Sequence, residues 1–177
     1  MSETSYALFD TALGRCGIAW SRAGVVAVSF PEGDDGKTRA RLMRRAKGAV
    51  ENSPPEAIAA AIDGIVALLG GDKRDLSHID LDMAGLPEFD RAVLGLTLAI
   101  APGETKTYGD IARALGDVAE SRRVGQALGR NPFPIIVPCH RVVGADGQMT
   151  GFSAPGGVGS KRRLLKIEGA LAPDLFD

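Results

Sequence analysis

One connection constrains this chain more than any other segment, because three prolines restrict its backbone and a thiol follows it directly. It runs from Asn131 to Pro138 with the sequence NPFPIIVP and continues into Cys139, His140 and Arg141. Proline fixes its own φ and disfavours helix for the preceding residue, so the pattern predicts a stiff, non-helical connection. A stiff connection places Cys139 reproducibly, as a nucleophile requires. A buried structural cysteine is the alternative, because a free thiol often behaves as a small hydrophobic side chain.

Length and residue usage exclude several classes of protein. The 177 residues are enough for one domain or two small ones with modest cores. The first residues show no basic segment followed by an apolar one, and the apolar runs are too short to cross a bilayer. Two cysteines and two histidines, without short ligand spacings, indicate neither a disulfide framework nor a metal site. We therefore expect a cytoplasmic globular protein with no membrane association, and the sequence shows no nucleotide-binding glycine fingerprint.

Charge is distributed unevenly along the chain. The net charge is −1, yet residues 121–168 carry eight basic and two acidic side chains. This positive excess around Cys139 predicts attraction to a polyanion such as DNA and favours a thiolate, while a solvated charged face is the alternative. A second basic cluster falls on a predicted amphipathic helix, and we interpret it as a solvated face. Its members are Lys37, Arg39, Arg41, Arg44, Arg45 and Lys47.

Hydrophobic periodicity predicts two structurally different halves. Three strands separated by glycine-containing turns, at residues 6–9, 16–20 and 24–30, predict a β-meander. Helices are predicted at 37–50 and 55–70, and then at 88–100, 107–115, 119–129 and 158–168, with a short strand at 79–83. The segment from Ala84 to Pro87 predicts a boundary. We expect an α/β N-terminal domain, residues 1–84, and a mainly helical C-terminal domain, residues 85–177.

Two of the predicted helices, between residues 107 and 129, are spaced as a helix-turn-helix. On the second helix Ser121, Gly125 and Gly129 lie four residues apart, so one face is nearly bare. Arg122 and Gln126 flank this face, which favours contact with nucleic acid. Close packing against another helix is the alternative.

Four separated segments of the second half resemble, in the same order, the O6-alkylguanine-DNA alkyltransferase family. The resemblance begins at Phe89 and includes GETKTYGDIA at 103–112, SRRVG at 121–125, the stretch 131–143, and KRRLLKIE at 161–168. The first half resembles the family's small N-terminal domain in length and strand pattern. The resemblance implies a ribonuclease-H-like α/β N-terminal domain and a C-terminal winged helix-turn-helix domain.

The resemblance also implies an activity, which is direct-reversal repair of double-stranded DNA. The alkyl group of O6-alkylguanine, and of O4-alkylthymine, would move to a cysteine of the protein itself. A thioether is stable, so each molecule would act once, as a monomer and without a cofactor.

Five side chains acquire chemical roles from the resemblance. Cys139 would accept the alkyl group and His140 would take its proton through a bound water, since neighbours in an extended chain point in opposite directions. Glu168 would orient His140, as the acid does in a catalytic triad. Tyr108 would donate a proton to the departing guanine, and Asn131 would tie the helix-turn-helix to the active-site loop. From the residues alone, a helix-end surface carboxylate is the favoured interpretation of Glu168. The alternatives for the other two are a core aromatic at a helix start for Tyr108 and a turn residue before proline for Asn131.

The remaining implied roles concern DNA and the substrate pocket. Arg122 would enter the base stack as the damaged nucleotide rotates out, with the recognition helix in the minor groove. The implied DNA contacts are Ser121, Arg122, Gly125, Gln126 and Arg141, and the implied pocket residues are Pro134, Val142, Phe152 and Ser153. Phe152 stands where many members have tyrosine, and Ala154-Pro155 looks like an insertion, so the range of accepted alkyl groups stays open.

Two other classes of function fit part of this pattern. A non-catalytic lesion-binding or regulatory protein would use the helix-turn-helix alone, but relatives of that kind lack the reactive cysteine that Cys139 supplies. A Cys-His-Glu hydrolase would need an oxyanion hole and would turn over many times. A reaction limited to one equivalent would exclude the hydrolase.

Overall fold

A four-stranded sheet forms the N-terminal half of the computed structural model, which describes residues 3–148 and 157–172. Strands β1 (Ser5–Thr11), β2 (Gly14–Ser21) and β3 (Gly24–Ser29) form an antiparallel meander, as predicted. Gly14 and Gly24 begin β2 and β3 with φ of 118° and 141°, values that favour glycine. The short strand β4 (Val50–Glu51) pairs parallel to β1, so the strand order is β3-β2-β1-β4.

Helices cover both faces of this sheet, because alternate strand residues point to opposite sides. Helix α1 (Asp35–Met43) packs Leu42 against Tyr6 and Ala19 on one face. Helix α2 (Glu56–Leu69) packs on the other face, which carries Cys16, Ile18 and Trp20. Cys16 is fully buried, and burial raises its pKa to about 11 despite a hydrogen bond from Thr11, so it is an unreactive core thiol.

In the described part of the C-terminal half, the structure contains four α-helices and a two-stranded sheet. The helices are α3 (Glu88–Leu98), α4 (Tyr108–Ala114), α5 (Ser121–Gly129) and α6 (Val158–Ile167). Strands β5 (Lys106–Thr107) and β6 (Val142–Val143) pair in parallel, and 3₁₀ turns form at Val118–Glu120, Cys139–Arg141 and Ala145–Gly147. A capping box between Thr107 and Asp110 starts α4 and places Tyr108 in its first turn.

Several predicted boundaries were wrong. Helix α1 ends at Met43 instead of reaching residue 50, because the chain turns through Gly48 at φ 75° and enters β4. The strand predicted at 79–83 is reduced to a single bridge between Leu81 and Val25. Strands β4, β5 and β6 were not predicted, since two residues are too short to show alternation.

The free edge of β3 lies against segments from later in the chain. The N–H of Val25 donates to the Asp80 carbonyl at 2.9 Å, and the N–H of Val28 donates to the Pro132 carbonyl at 2.9 Å. One hydrophobic cluster contains residues of both halves, among them Ile65 and Phe133. The division at residues 84 and 85 stays a prediction. Within the described ranges, every helix is too short or too polar to cross a bilayer.

Candidate active site

The side chain of Asn131 organises the connection that carries the thiol. Its Nδ2 donates to the Val137 carbonyl at 2.9 Å, and its Oδ1 accepts from the N–H of Phe133 at 2.9 Å. Ile135, almost fully buried in this loop, has φ of 78°, which a β-branched residue adopts only when its surroundings hold it there. The loop is therefore braced from within, in agreement with the stiffness that its prolines predict.

Cys139 follows this loop with 8 % of its surface exposed. Burial raises the pKa of its thiol, because a thiolate loses its hydration there. The polar side chain of Asn131 and the charge of Lys161 lower the pKa of the thiol without cancelling the effect of burial. The resting thiol is therefore protonated at neutral pH, and its use as a nucleophile requires a base.

A buried acid, base and cation lie next to the thiol. Nε of Arg141 donates to Oε1 of Glu168 at 2.9 Å, and its Nη2 donates to Oε2 at 2.6 Å. His140 Nε2 lies 2.9 Å from Oε1 of the same carboxylate. Burial alone would raise the pKa of Glu168, but these hydrogen bonds from Arg141 and His140 outweigh it and lower the pKa to about 2. Glu168 is thus ionised and can only accept hydrogen bonds.

The ionised carboxylate determines which nitrogen of His140 carries the proton. Nε2 must be the donor to Glu168, so Nδ1 of the neutral ring is an acceptor. This Nδ1 is buried and has no hydrogen-bond partner among the described residues. Burial lowers the pKa of His140 more than the neighbouring Glu168 raises it. The imidazole is therefore a neutral base at pH 7, held in one orientation.

Two expectations about this segment were wrong. Cys139, His140 and Arg141 form a 3₁₀ turn and not an extended chain, so the side chains of Cys139 and His140 diverge by helical rotation instead of alternation. Arg141 is not available to DNA, since it is buried and its Nη1 also donates to the Ile100 carbonyl at 2.6 Å. Its charge instead neutralises Glu168 inside the protein.

Lys161 is a site residue that the sequence pattern alone did not single out. The side chain is 1 % exposed, and its Nζ donates to the Tyr108 hydroxyl at 3.3 Å and lies 5.6 Å from the ring centroid. Its charge favours the Cys139 thiolate. The available signal was spacing, because Lys161 on α6 lies seven residues before Glu168 at the C-cap of that helix, so the two lie on the same side.

Comparison with known proteins identifies the family. Residues 88–170 match the family model for the DNA binding domain of 6-O-methylguanine DNA methyltransferase. The methylated-DNA–protein-cysteine methyltransferase of Methanothermobacter thermautotrophicus is 41% identical over 138 residues, which are 77% of this chain and 76% of that protein. The chain belongs to the methylated-DNA–protein-cysteine methyltransferase family. The Methanosarcina acetivorans methyltransferase is 36% identical over 166 residues, 93% of this chain and 98% of that protein.

A solved structure extends the comparison to the fold. Mycobacterium tuberculosis OGT in complex with DNA has a TM-score of 0.71 and 33% identity, with 93% of this chain and 92% of that chain covered. The α/β and helical parts of the fold are thus shared with a DNA-binding relative. The family resemblance is confirmed, and the methyltransferase repairs DNA by direct transfer of an alkyl group to a cysteine.

The structure places only part of the expected substrate pocket of the methyltransferase. Pro134 is half-buried in the loop, and Val142 is fully buried in β6. Phe152 and Ser153 lie outside the described residues, as does the Ala154-Pro155 insertion. The contacts of these residues with an alkylated base stay predictions.

Helix α5 of the methyltransferase presents two different faces. Its apolar residues Val124, Ala127 and Leu128 are buried, as predicted. Arg122 and Gln126 are exposed, and Arg122 makes no hydrogen bond within the described ranges. A Cβ on Gly125 would lie 3.7 Å from the Tyr108 ring, so this part of the bare face packs against α4. The exposed remainder of the face is available to a partner.

Much of the positive charge near the site is already paired inside the protein. Arg130 donates to both carboxylate oxygens of Asp90, at 3.0 and 2.8 Å. Arg123 donates to Glu120 at 2.8 Å and lies 4.0 Å from the centroid of the Phe89 ring. Glu120 and Asp90 lie outside the counted segment 121–168, so the excess counted along the sequence overstates the net positive charge around these two arginines.

Proposed function

We propose that Cys139 is the cysteine that accepts the alkyl group, and that the substrate is O6-alkylguanine in double-stranded DNA. The observation that carries this proposal is the buried acceptor nitrogen of His140 beside the Cys139 turn, backed by an ionised Glu168. Cys139 also lies within the segment that matches the family model, whereas Cys16 lies outside it. Cys16 has no exposed surface, whereas Cys139 is 8 % exposed, and this difference supports the same choice.

The proposed transfer starts with removal of the thiol proton. His140 Nδ1 takes that proton through a bound water, while Glu168 stabilises the resulting imidazolium. The thiolate sulfur then forms a bond to the alkyl carbon as the bond from that carbon to O6 breaks, and the electron pair stays with guanine. Because the product is a thioether, Cys139 is not regenerated, and the reaction needs no cofactor.

The departing guanine requires a proton, and we propose that Tyr108 supplies it. Nζ of Lys161 donates to the Tyr108 hydroxyl oxygen, so this hydrogen bond uses the oxygen as an acceptor and does not use the hydroxyl proton. After the proton has moved, the ammonium of Lys161 stabilises the tyrosinate, and it favours the Cys139 thiolate before attack. One buried cation thus acts on both the attacking and the leaving side.

The proposed DNA contact is the exposed part of α5 in the minor groove. Arg122, Ser121 and Gln126 would contact the duplex, with Arg122 filling the stack after the damaged base has rotated out. The strand pair β5–β6 beside α4 and α5 supports a winged helix-turn-helix unit, and the strand order β3-β2-β1-β4 supports a ribonuclease-H-like N-terminal domain. We further propose a cytoplasmic monomer that also repairs O4-alkylthymine.

The mass of the intact protein, followed by peptide mapping, tests this function. Incubation with a duplex that contains one O6-methylguanine should add one methyl group to Cys139 and then stop. Cys139→Ser should abolish the transfer and still bind DNA, whereas the matched variant Cys16→Ser should still accept one methyl group. A methyl group on any other residue would refute the role of Cys139, and repeated turnover would indicate a hydrolase.

A further inference from the structure

Arg45 is the one member of the basic 37–47 cluster whose contacts contradict the solvated-face interpretation. It is half-buried, and its guanidinium donates to three main-chain carbonyls. Nε reaches Val26 in β3 at 3.1 Å, and Nη2 reaches Asp82 at 3.1 Å and Ala84 at 3.3 Å. A single side chain therefore joins the edge of the N-terminal sheet to the segment that leads into the C-terminal half.

The same guanidinium contacts the active-site loop. Its Cζ lies 6.0 Å from the centroid of the Phe133 ring, which is fully buried. That distance is at the outer limit of a cation–π contact, so its binding energy is small. The guanidinium instead restricts where the Phe133 ring can lie, and we call this contact the brace. The preceding residue, Pro132, accepts a hydrogen bond from Val28 in β3. The loop is thus held against the N-terminal sheet at two consecutive positions.

Phe133 connects this brace to the reacting thiol. Its N–H donates to Oδ1 of Asn131, and Nδ2 of Asn131 donates to the Val137 carbonyl. The same carbonyl accepts a hydrogen bond from the N–H of Cys139 at 2.8 Å. A shift of Phe133 would therefore move the amide that orients Cys139. Displacement by about 1 Å at a reacting group is enough to cost up to roughly a hundredfold in rate.

We propose that Arg45 is a positioning residue for alkyl transfer, which acts on Cys139 by bracing Phe133 and, through it, Asn131. The proposal rests on the proposed role of Cys139. It assigns the N-terminal half a part in the reaction that goes beyond support of the fold. The planar guanidinium is needed because its donors point in several fixed directions, which a lysine cannot reproduce.

The test compares Arg45→Ala and Arg45→Lys with the matched control Arg44→Ala. Arg44 is the exposed neighbour, and its side chain makes no hydrogen bond to the described part of the chain. We would measure the single-turnover transfer rate on an O6-methylguanine duplex at 25 °C, the Kd for unmodified duplex, and Tm. Arg45→Ala should slow transfer about tenfold or more with Kd unchanged. Arg45→Lys should recover only part of the rate, and Arg44→Ala should transfer at the wild-type rate.

A purely structural role predicts a different result. Tm of Arg45→Ala would fall while its transfer rate at 25 °C matched that of the wild type, and this outcome would overturn the proposal. If Arg45→Ala does not fold, the transfer rates of Arg45→Lys and Phe133→Leu test the proposal in its place. Because both substitutions weaken the same contact, the double variant Arg45→Lys/Phe133→Leu should transfer no more slowly than the slower single variant. If its loss of rate equals the product of the two single losses, the route through Phe133 is refuted.

Reaction of Cys139 with iodoacetamide gives a second readout that does not involve DNA. If Arg45 acts through Asn131, the pH profile of this reaction in Arg45→Lys should move to higher pH, whereas an unmoved profile would contradict that route. Failure of the proposed function would appear in the wild type, as absence of a methyl group on Cys139. Failure of the present proposal would appear only in the Arg45 variants.

Discussion

Burial changes the protonation of both side chains that we propose for proton transfer. It raises the pKa of Cys139 and lowers the pKa of His140, so the resting pair is a neutral thiol beside a neutral imidazole. A neutral pair is stable in a buried site, where a thiolate would be costly. Formation of the thiolate and the imidazolium is therefore favoured only when the alkylated base is bound and the thiolate can attack it.

The protonation of His140 predicts the dependence of the transfer rate on pH. The base must be neutral, and its pKa is lowered from 6.5, so the rate should stay level through neutral pH and fall only well below 6.5. Single-turnover rates between pH 5 and 8 check this. His140→Gln should transfer about a hundredfold more slowly and lose the acid limb. An acid limb with its midpoint above 6.5 would contradict the assignment of His140 as the base.

The buried ammonium of Lys161 gives a prediction about thiol reactivity. Lys161→Met should move the iodoacetamide profile of Cys139 to higher pH, because the thiolate loses a favourable charge, and should slow transfer about tenfold. Arg162→Met is the matched control on the exposed side of α6 and should leave the thiol profile unchanged. Equal profiles for Lys161→Met and the wild type would show that the ammonium does not act on the thiol.

Helix α5 shows how two adjacent arginines of one element acquire separate roles. Arg122 is exposed on the face without large side chains, whereas Arg123 is anchored to Glu120 and to the Phe89 ring on α3. The helical rotation between consecutive residues directs the first to a partner and the second to the protein. The two arginines are therefore a natural matched pair.

Substitution of each arginine should change a different observable. Arg122→Ala should slow transfer from an O6-methylguanine duplex about tenfold or more, with little change on the free base, because only the duplex requires base rotation. Arg123→Ala should lower the free energy of unfolding by about 1 kcal/mol and leave the duplex rate near that of the wild type. Single-turnover assays and urea unfolding measure the two effects. Equal losses on duplex and free base would refute the finger role of Arg122.

The whole molecule is held together around the buried charges of the site as well as around its apolar core. Arg141 joins the 3₁₀ turn to Glu168 after α6 and to the Ile100 carbonyl after α3. Removal of one partner from such a pair leaves a buried charge without compensation. The ionised form of Glu168 therefore stabilises the fold and also fixes the protonation and orientation of His140.

This coupling predicts loss of stability in acid. The pKa of Glu168 is lowered from 4.5 to about 2. Above pH 4.5 its carboxylate therefore adds about 3 kcal/mol to the free energy of unfolding, and this contribution is lost as the pH falls from 4.5 through 2. His140 adds to the loss below 6.5, because the unfolded state then binds a proton that the folded state resists. Urea unfolding between pH 7 and pH 2.5 measures the effect.

Glu168→Gln is the control for the acid prediction. It should be less stable at pH 7 by about 3–5 kcal/mol, because Arg141 is left buried without its acid. Between pH 4.5 and 2 its free energy of unfolding should fall less steeply than that of the wild type. Parallel pH profiles for the two proteins would show that Glu168 does not carry the acid dependence.

Local patterns in the chain were sufficient for the main elements and for the segment in which we propose the chemistry. The meander, the helix-turn-helix spacing and the stiff mount of Cys139 follow from alternation, helical periodicity and proline geometry, all of which act over a few residues. The family motifs added the pairing of His140 with Glu168. Elements of two residues, such as β4, left no such local trace.

Only the tertiary structure determines which groups the charged side chains contact, because electrostatic partners are set by distance in space and not by distance along the chain. Arg141 and Arg45 look like surface cations in the sequence, yet one is buried against Glu168, 27 residues away, and the other bonds carbonyls 19 to 39 residues away. The proton position on His140 likewise depends on that distant carboxylate. Residue identity and periodicity point to Cys139 as the proposed nucleophile, while burial and long-range contacts set its protonation and alignment.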